Sequence, residues 1–339
     1  MPIARYHSLD KLKVLCAFLI VCVHAPFPGV IGEYFMPLTR IAVPIFFMVS
    51  GFFWNPDSLR KQITKLLKLL IFANVLYFFV DLAKAFARHG VSDFFSDAFS
   101  LESLFQFVVF NESPFAPHLW YLGAIIYVLI VSYYVEKFKL KQILVYVIPI
   151  LLLVDLVLGK YSRLIFNREF PYIFVRNWLF VGVPYFFIGN FIHEDSHGEK
   201  KRFDFSCIAI SCGVLLFSVT SLLERYLLVL NELDTRRDHY ISTTFLAIAV
   251  FTLFLLYIDN NASFISRVGR QDTTLIYIIH YLIIGIMGGV VKAIGVRGLY
   301  NPIRPVVVFI LTTVLVEGFN FVKVKTGSMI NKEKRCTNS

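Results

Sequence analysis

Charge is scarce in this sequence. Asp, Glu, Lys and Arg make up 17% of its 339 residues, where a soluble globular chain carries about 25%. With 57% of the chain apolar, that shortfall excludes a secreted enzyme, a disordered regulator and a DNA-binding domain. Cysteine is scarce as well: Cys16, Cys22, Cys207 and Cys212 lie inside apolar runs, where the thiol behaves as a small hydrophobe, and no disulfide framework is expected. Cys336-Thr337-Asn338-Ser339 has the length of a prenylation box, but its polar middle positions exclude one. The histidines are scattered and none has a ligand-like partner at helical spacing, so no metal is expected. No internal repeat is visible, which argues against a carrier built from inverted halves.

What the sequence has in abundance is apolar surface. Hydrophobic residues are 57% of the chain and the mean hydropathy is +0.69. A membrane helix needs about 20 apolar residues, and stretches long enough fall at about 12–31, 36–54, 62–86, 117–135, 141–158, 176–193, 203–223, 241–258, 272–292 and 303–322. The expectation is an all-α polytopic membrane protein with about ten transmembrane helices, forming a single domain over residues 1–339. The first stretch contains His24 and ends in Pro26-Phe27-Pro28-Gly29 rather than a small-residue cleavage site, so it is read as a retained helix, not a signal peptide.

The formal net charge of +10 is read as loop charge that sets topology, not as a nucleic-acid surface. Ten spans put both termini on one side, and that side receives most of the Lys and Arg. Both termini are therefore expected in the cytoplasm, with a short basic tail over 323–339. The clearest inner signals are Arg60-Lys61, Lys137, Lys139 and Lys141, Lys200-Lys201-Arg202, and Lys332, Lys334 and Arg335. On the outer side, residues 89–116 interleave phenylalanines with Asp93, Asp97 and Glu102 and read as an amphipathic helix on the membrane surface. Residues 159–176 carry Lys160, Arg163, Arg168 and Arg176 among Phe166, Phe170 and Tyr172. This basic outer loop runs against the topology rule; it is either tolerated locally or meets an anionic or sugar-bearing partner.

Ionisable groups within membrane spans are costly and are functional candidates by default. The first helix holds Asp10, Lys13 and His24. Eleven steps of about 100° bring Lys13 and His24 to one face, with a rise of about 16.5 Å between them. Asp10 can pair with Lys13 as a helix neighbour, and imidazole exchanges a proton near neutral pH, as a general base must. Competing readings are a snorkelling anchor for Lys13 and a hydrogen-bonded core histidine for His24. In the second stretch Arg40 is near the outer end, Pro44 permits a kink, and Ser50-Gly51 admits another backbone. Lys65 and Lys68, three residues apart, share a helix face suited to phosphate or to plain topology anchoring.

Leu9-Asp10-Lys11-Leu12-Lys13, then His24, then Val43-Pro44-Ile45-Phe46-Phe47-Met48-Val49-Ser50-Gly51-Phe52-Phe53 resembles the opening of the acyltransferase 3 family, ten-helix bacterial membrane enzymes that O-acylate surface carbohydrates and lipids. Lys13 and His24 match its first-helix motif, a basic residue, ten residues, then His. Lys65 and Lys68 match its basic-x-x-basic pair, usually arginine. His118-Leu119-Trp120-Tyr121-Leu122 and the Tyr277-to-His280 segment resemble two later motifs. The likeness runs from about residue 5 to residue 320, and one membrane domain is expected to hold the whole activity.

The resemblance implies an O-acyltransferase of the bacterial cytoplasmic membrane, with acetyl the expected group and cytoplasmic acetyl-CoA the donor. The acceptor would be a hydroxyl of a cell-surface polysaccharide or lipid-linked glycan. On this reading Lys13, Lys65 and Lys68 bind CoA phosphates, and His24 is either the general base for the acceptor hydroxyl or a transient acyl carrier. Asp10 orients Lys13, and His280 is a second acid–base candidate. Arg40, Trp120, Tyr121 and the basic loop stand on the acceptor side. The rival reading is an exporter of polysaccharide or lipid-linked sugar, without acyl-transfer chemistry.

Overall fold

The computed structural model describes residues 6–197, 206–235 and 237–336, with side chains to residue 323 except that of residue 197. Helix accounts for 82% of the structure, and among the described residues no strand is present. Lipid offers no hydrogen bonds to a backbone, so apolar segments of this length satisfy their own amides as helices.

In chain order the helices are α1 His7–His24, α2 Gly29–Thr39, α3 Ala42–Phe52, α4 Leu59–Ala87, α5 Val91–Ala98, α6 Leu101–Phe110, α7 Trp120–Lys137 and α8 Lys141–Leu158. There follow α9 Ser162–Phe166, α10 Val183–His197, α11 Cys207–Leu230, α12 Ile241–Leu256, α13 Phe264–Gln271, α14 Thr273–Ile294, α15 Arg297–Tyr300 and α16 Arg304–Cys336. Among the described residues, eight helical stretches are long and apolar enough to cross a membrane: Gly29–Phe52, Pro56–Ala87, Pro117–Lys137, Lys141–Leu158, Tyr172–Ser196, Cys207–Leu230, Thr273–Ile294 and Arg297–Lys323. The stretches expected at 12–31 and 241–258 are helices too. However, α1 carries Asp10, Lys11 and Lys13 within its 18 residues, and α12 is only 16 residues long.

Several boundaries differ from the sequence reading. α1 begins before residue 12 and stops at His24 instead of continuing to 31, because Pro26 has no N–H to donate and restricts the residue before it. His24 is therefore the last helical residue rather than a mid-helix one. Between α2 and α3 the helix breaks at Arg40-Ile41; Pro44 cannot donate to the Arg40 carbonyl four residues back, so the permitted kink is a full break. Residues 89–116 form two short helices instead of one. Ser100 caps α6 by accepting from the Ser103 amide at 3.1 Å, and Asn111 ends it in the left-handed conformation at φ 64°. α16 continues to Cys336, past the expected end at 322, through a stretch without proline. Lys200, Lys201 and Arg202 lie outside the described residues, as do the side chains of Lys332, Lys334 and Arg335.

The chain divides into two compact units. The first comprises residues up to Ala42 together with those from Val250 onward. In it α1 packs against α13, α14 and α16. Val21, Ala25, Ile283, Val291, Tyr300 and Val308 form a buried cluster there, and Phe18 meets Phe309 edge-on with centroids 5.4 Å apart. The start of α1 is tied to the segment before α13: the Ser8 amide donates to Asn260 Oδ1 at 3.1 Å, and Lys11 Nζ to the Asp259 carbonyl at 2.7 Å. Gly269 sets the approach of α13, since a Cβ there would stand 1.8 Å from the Asp10 carbonyl oxygen.

The second unit spans Val43–Ala249. α7 packs against α4, α10 and the π-helical turn Trp178–Gly182. Two glycines lock α3 to α10. A Cβ at Gly51 would meet the Phe186 carbonyl oxygen at 1.8 Å, and one at Gly189 the Met48 carbonyl oxygen at 2.0 Å. The close approach expected at Ser50-Gly51 is present. α4, α8 and α11 instead present apolar side chains outward, Ile71, Tyr146 and Leu215 among them, as helices facing acyl chains do.

Candidate functional site

In the first unit α1 carries Asp10, Lys13 and His24. Lys13 Nζ forms an ion pair with Asp10 Oδ1 at 2.7 Å, the helix-neighbour pair that the three-residue spacing requires. Asp10 is buried and Lys13 half-buried. The carbonyl of Asp10 is the atom that Gly269 approaches, so this end of α1 is fixed by backbone contact as well as by charge.

At the other end, His24 meets α14. The rings of His24 and His280 have centroids 5.3 Å apart. Tyr281 lies edge-on to His24 at 5.7 Å, and Tyr277 stands 6.2 Å from His280. His280 is fully buried, and its Nδ1 lies 3.2 Å from the Ile276 carbonyl oxygen. A carbonyl only accepts, so Nδ1 carries the hydrogen and the lone pair of the neutral ring is on Nε2. A helix end with a half-buried imidazole beside a fully buried one can relay a proton to or from a bound group.

Eight residues before His280, Asp272 is buried just ahead of α14. Asn320 donates to its Oδ1, while Arg267 holds Glu317 through two 3.1 Å contacts. Burial and the neighbouring Glu317 carboxyl push the Asp272 carboxyl up to about 6.

The other expected residues are placed separately. Arg40 is half-buried at the α2–α3 break of the first unit. Lys65 and Lys68 belong to the second unit, both exposed on α4; steps of about 100° turn them away from buried Ala73 and Tyr77. Trp120 and Tyr121 open α7 and pack on the α3 motif: Phe47 lies 6.2 Å from Trp120 and 4.8 Å from Tyr121, centroid to centroid. The two aromatic motifs singled out in sequence are one packed cluster. Among the described residues, no group of three or more His, Cys, Asp and Glu is arranged to hold a metal ion.

Sequence reasoning missed a polar cluster in the second unit. Asp155 Oδ2 and His239 Nδ1 are 2.7 Å apart, and both side chains are buried. Lys160, also buried, contacts Asp234 Oδ1 at 3.2 Å and donates to the Thr235 carbonyl at 2.7 Å. Glu224 accepts from the Tyr161 hydroxyl and from the Ile241 and Ser242 amides. The Tyr161 hydroxyl, buried and bonded to this carboxylate, is held well above the ordinary phenol range. Asp155, ionisable and near the end of an apolar run, was the signal available; its partner is distant in sequence and no spacing rule reaches it.

An amino-acid racemase of Enterococcus faecalis is 26% identical over 243 residues, an alignment covering 65% of this chain and 32% of that protein. The chain thus spans about a third of the length of the curated relative it matches. No solved structure matches the chain. The acyltransferase domain family matches residues 6–317, which takes in α1, the α3 and α7 motifs and the His280 segment, and the chain belongs to that family, acyltransferase 3.

Proposed function

We propose that the protein is a membrane O-acyltransferase that moves an acyl group, acetyl in the first instance, from cytoplasmic acyl-CoA to a hydroxyl of a cell-surface polysaccharide or lipid-linked glycan in the bacterial cytoplasmic membrane. The observation that carries this reading is the pairing of His24 with His280 on a helix whose other end bears the Asp10–Lys13 ion pair. The rise of about 16.5 Å between Lys13 and His24 suits a pantetheine arm lying along α1, its phosphates at the lysine and its thioester at the imidazole. Lys65 and Lys68 add phosphate-binding charge, and Arg40, Trp120 and Tyr121 serve the acceptor.

In the direct version His24 takes the proton of the acceptor hydroxyl as its oxygen attacks the thioester carbonyl. The C–S bond breaks, and the departing sulfur recovers the proton from the imidazolium, giving ester and free CoA. In the two-step version His24 itself attacks, releases CoA and passes the acyl group to the hydroxyl. His280 then serves as the proton partner. The racemase name belongs to a protein of which this chain matches only 32%, and it describes that protein alone.

The test is transfer of radiolabelled acetyl from acetyl-CoA to surface glycans in membranes holding either the native chain or His24→Ala. Loss of transfer with normal insertion supports the proposal. Unchanged transfer by a normally inserted His24→Ala chain removes the His24 mechanism, and glycan export without acetylation by the native chain favours the carrier.

A further inference from the structure

The basic segment after α8 closes a small polar pocket within the second unit, lined by Asp155, Lys160, Tyr172, Arg176, Arg237 and His239, among others. Its acids are engaged. Asp155 holds His239 at 2.7 Å, Asp234 faces Lys160 at 3.2 Å, and Asp238 accepts from the Tyr172 hydroxyl. Glu169 lies nearer to Arg163, at 2.7 Å, than to Arg237, at 3.8 Å.

The guanidinium groups are not matched in the same way. Arg176 lies over the rings of Tyr172, at 4.3 Å, and Trp120, at 5.7 Å. Among the described residues no carboxylate forms an ion pair with it. Arg237 donates to the Phe170 carbonyl, yet its Nε is buried and, among the described residues, has no hydrogen-bond partner. Buried donors are satisfied in more than nine cases in ten, so an orphaned guanidinium nitrogen in a pocket that a second arginine also lines points to a missing acceptor. The aromatic faces hold Arg176 in place by cation–π attraction without neutralising it. A planar guanidinium recognises carboxylate and phosphate oxygens in particular.

We infer that this pocket binds an oxyanion, a carboxylate or phosphate, carried by the acceptor, so that the acceptor is an acidic glycan or a sugar phosphate and not a neutral sugar. The inference rests on the acceptor-side reading of residues 159–176 given above. Trp120 lies under Arg176 and supplies the readout.

The experiment is titration of the full chain in neutral detergent, followed by tryptophan fluorescence, with glucose, glucuronate, glucose 1-phosphate and inorganic phosphate as probes. Trp120→Phe shows which part of the signal comes from Trp120. Saturable binding of glucuronate or glucose 1-phosphate but not glucose is expected, weakened about tenfold or more in Arg176→Gln and Arg237→Gln and only partly restored in Arg176→Lys, which keeps the charge but not the planar fork. Thermal unfolding of each variant separates lost contact from lost fold. No acyl donor is present, so His24→Ala should bind these anions normally even where transfer is abolished; a failure of the transferase reading and a failure of this one are thereby distinguishable. Equal binding of glucose, unchanged affinity in a folded Arg176→Gln, or binding of inorganic phosphate as tight as that of both sugar anions would overturn the assignment. So would competition by anionic lipid headgroups, seen as probe binding abolished in phosphatidylglycerol nanodiscs but kept in phosphatidylcholine ones.

Discussion

The imidazoles of His24 and His280 stand 5.3 Å apart, centroid to centroid, one on the last residue of α1 and the other on α14. They are brought together by contacts that begin at the opposite end of α1. Gly269 lets α13 touch the Asp10 backbone, and α14 follows directly from α13, so a contact at the lysine end governs the histidine end.

Gly269→Ala should therefore disturb both ends. A Cβ 1.8 Å from the Asp10 carbonyl oxygen meets backbone, which cannot swing aside as a flexible side chain would. A loss of about 1–3 kcal/mol is expected, seen as a lower unfolding temperature in detergent and weaker transfer. Gly285→Ala is the matched control on α14. A Cβ there meets nothing within 4 Å, and replacing a helical glycine gains roughly 0.5–1 kcal/mol.

The lysines on α4 are expected to act through affinity. Lys65→Ala with Lys68→Ala should raise the dissociation constant for CoA about tenfold, while arginine at both positions keeps or improves binding. Calorimetry with CoA and with dephospho-CoA checks this. Identical affinity in the native and doubly substituted chains would return the pair to topology anchors.

Asp272 gives stability a pH dependence of defined sign. Its carboxyl titrates near 6 in the folded chain against about 3.9 when unfolded, so the folded state holds the proton more tightly. This contribution is fully present below about pH 4 and is lost as pH rises through 6. Asp272→Asn, which keeps a neutral group beside Glu317 and Asn320, should flatten that part of the unfolding-temperature profile. A native profile that rises across the same window would contradict the assignment.

The helical membrane architecture and the residues of α1 were legible because both depend on short-range periodicity. An apolar run declares a helix, and an eleven-residue interval declares a shared face. Proline chemistry marked a kink at Pro44, where the structure has a full break, but not the earlier end of α1, since hydropathy continues through Pro26 and Phe27 while the hydrogen-bond ladder does not. His280 is legible only through the resemblance of the Tyr277-to-His280 segment to the family; that it meets His24 depends on packing at Gly269 and along α14, which no local pattern encodes. The Asp155–His239 pair is further still from legibility, because it joins the end of one helix to a connecting segment 84 positions away.

The account turns on His24. The most direct measurement is turnover of radiolabelled acetyl-CoA by the purified full chain with an acidic glycan acceptor, comparing native protein, His24→Ala and His280→Gln at matched unfolding temperature. The account predicts a fall of at least about a hundredfold for His24→Ala, in the range that positioned acid–base groups contribute, and a smaller fall for His280→Gln. Native turnover by a correctly folded His24→Ala protein would contradict it.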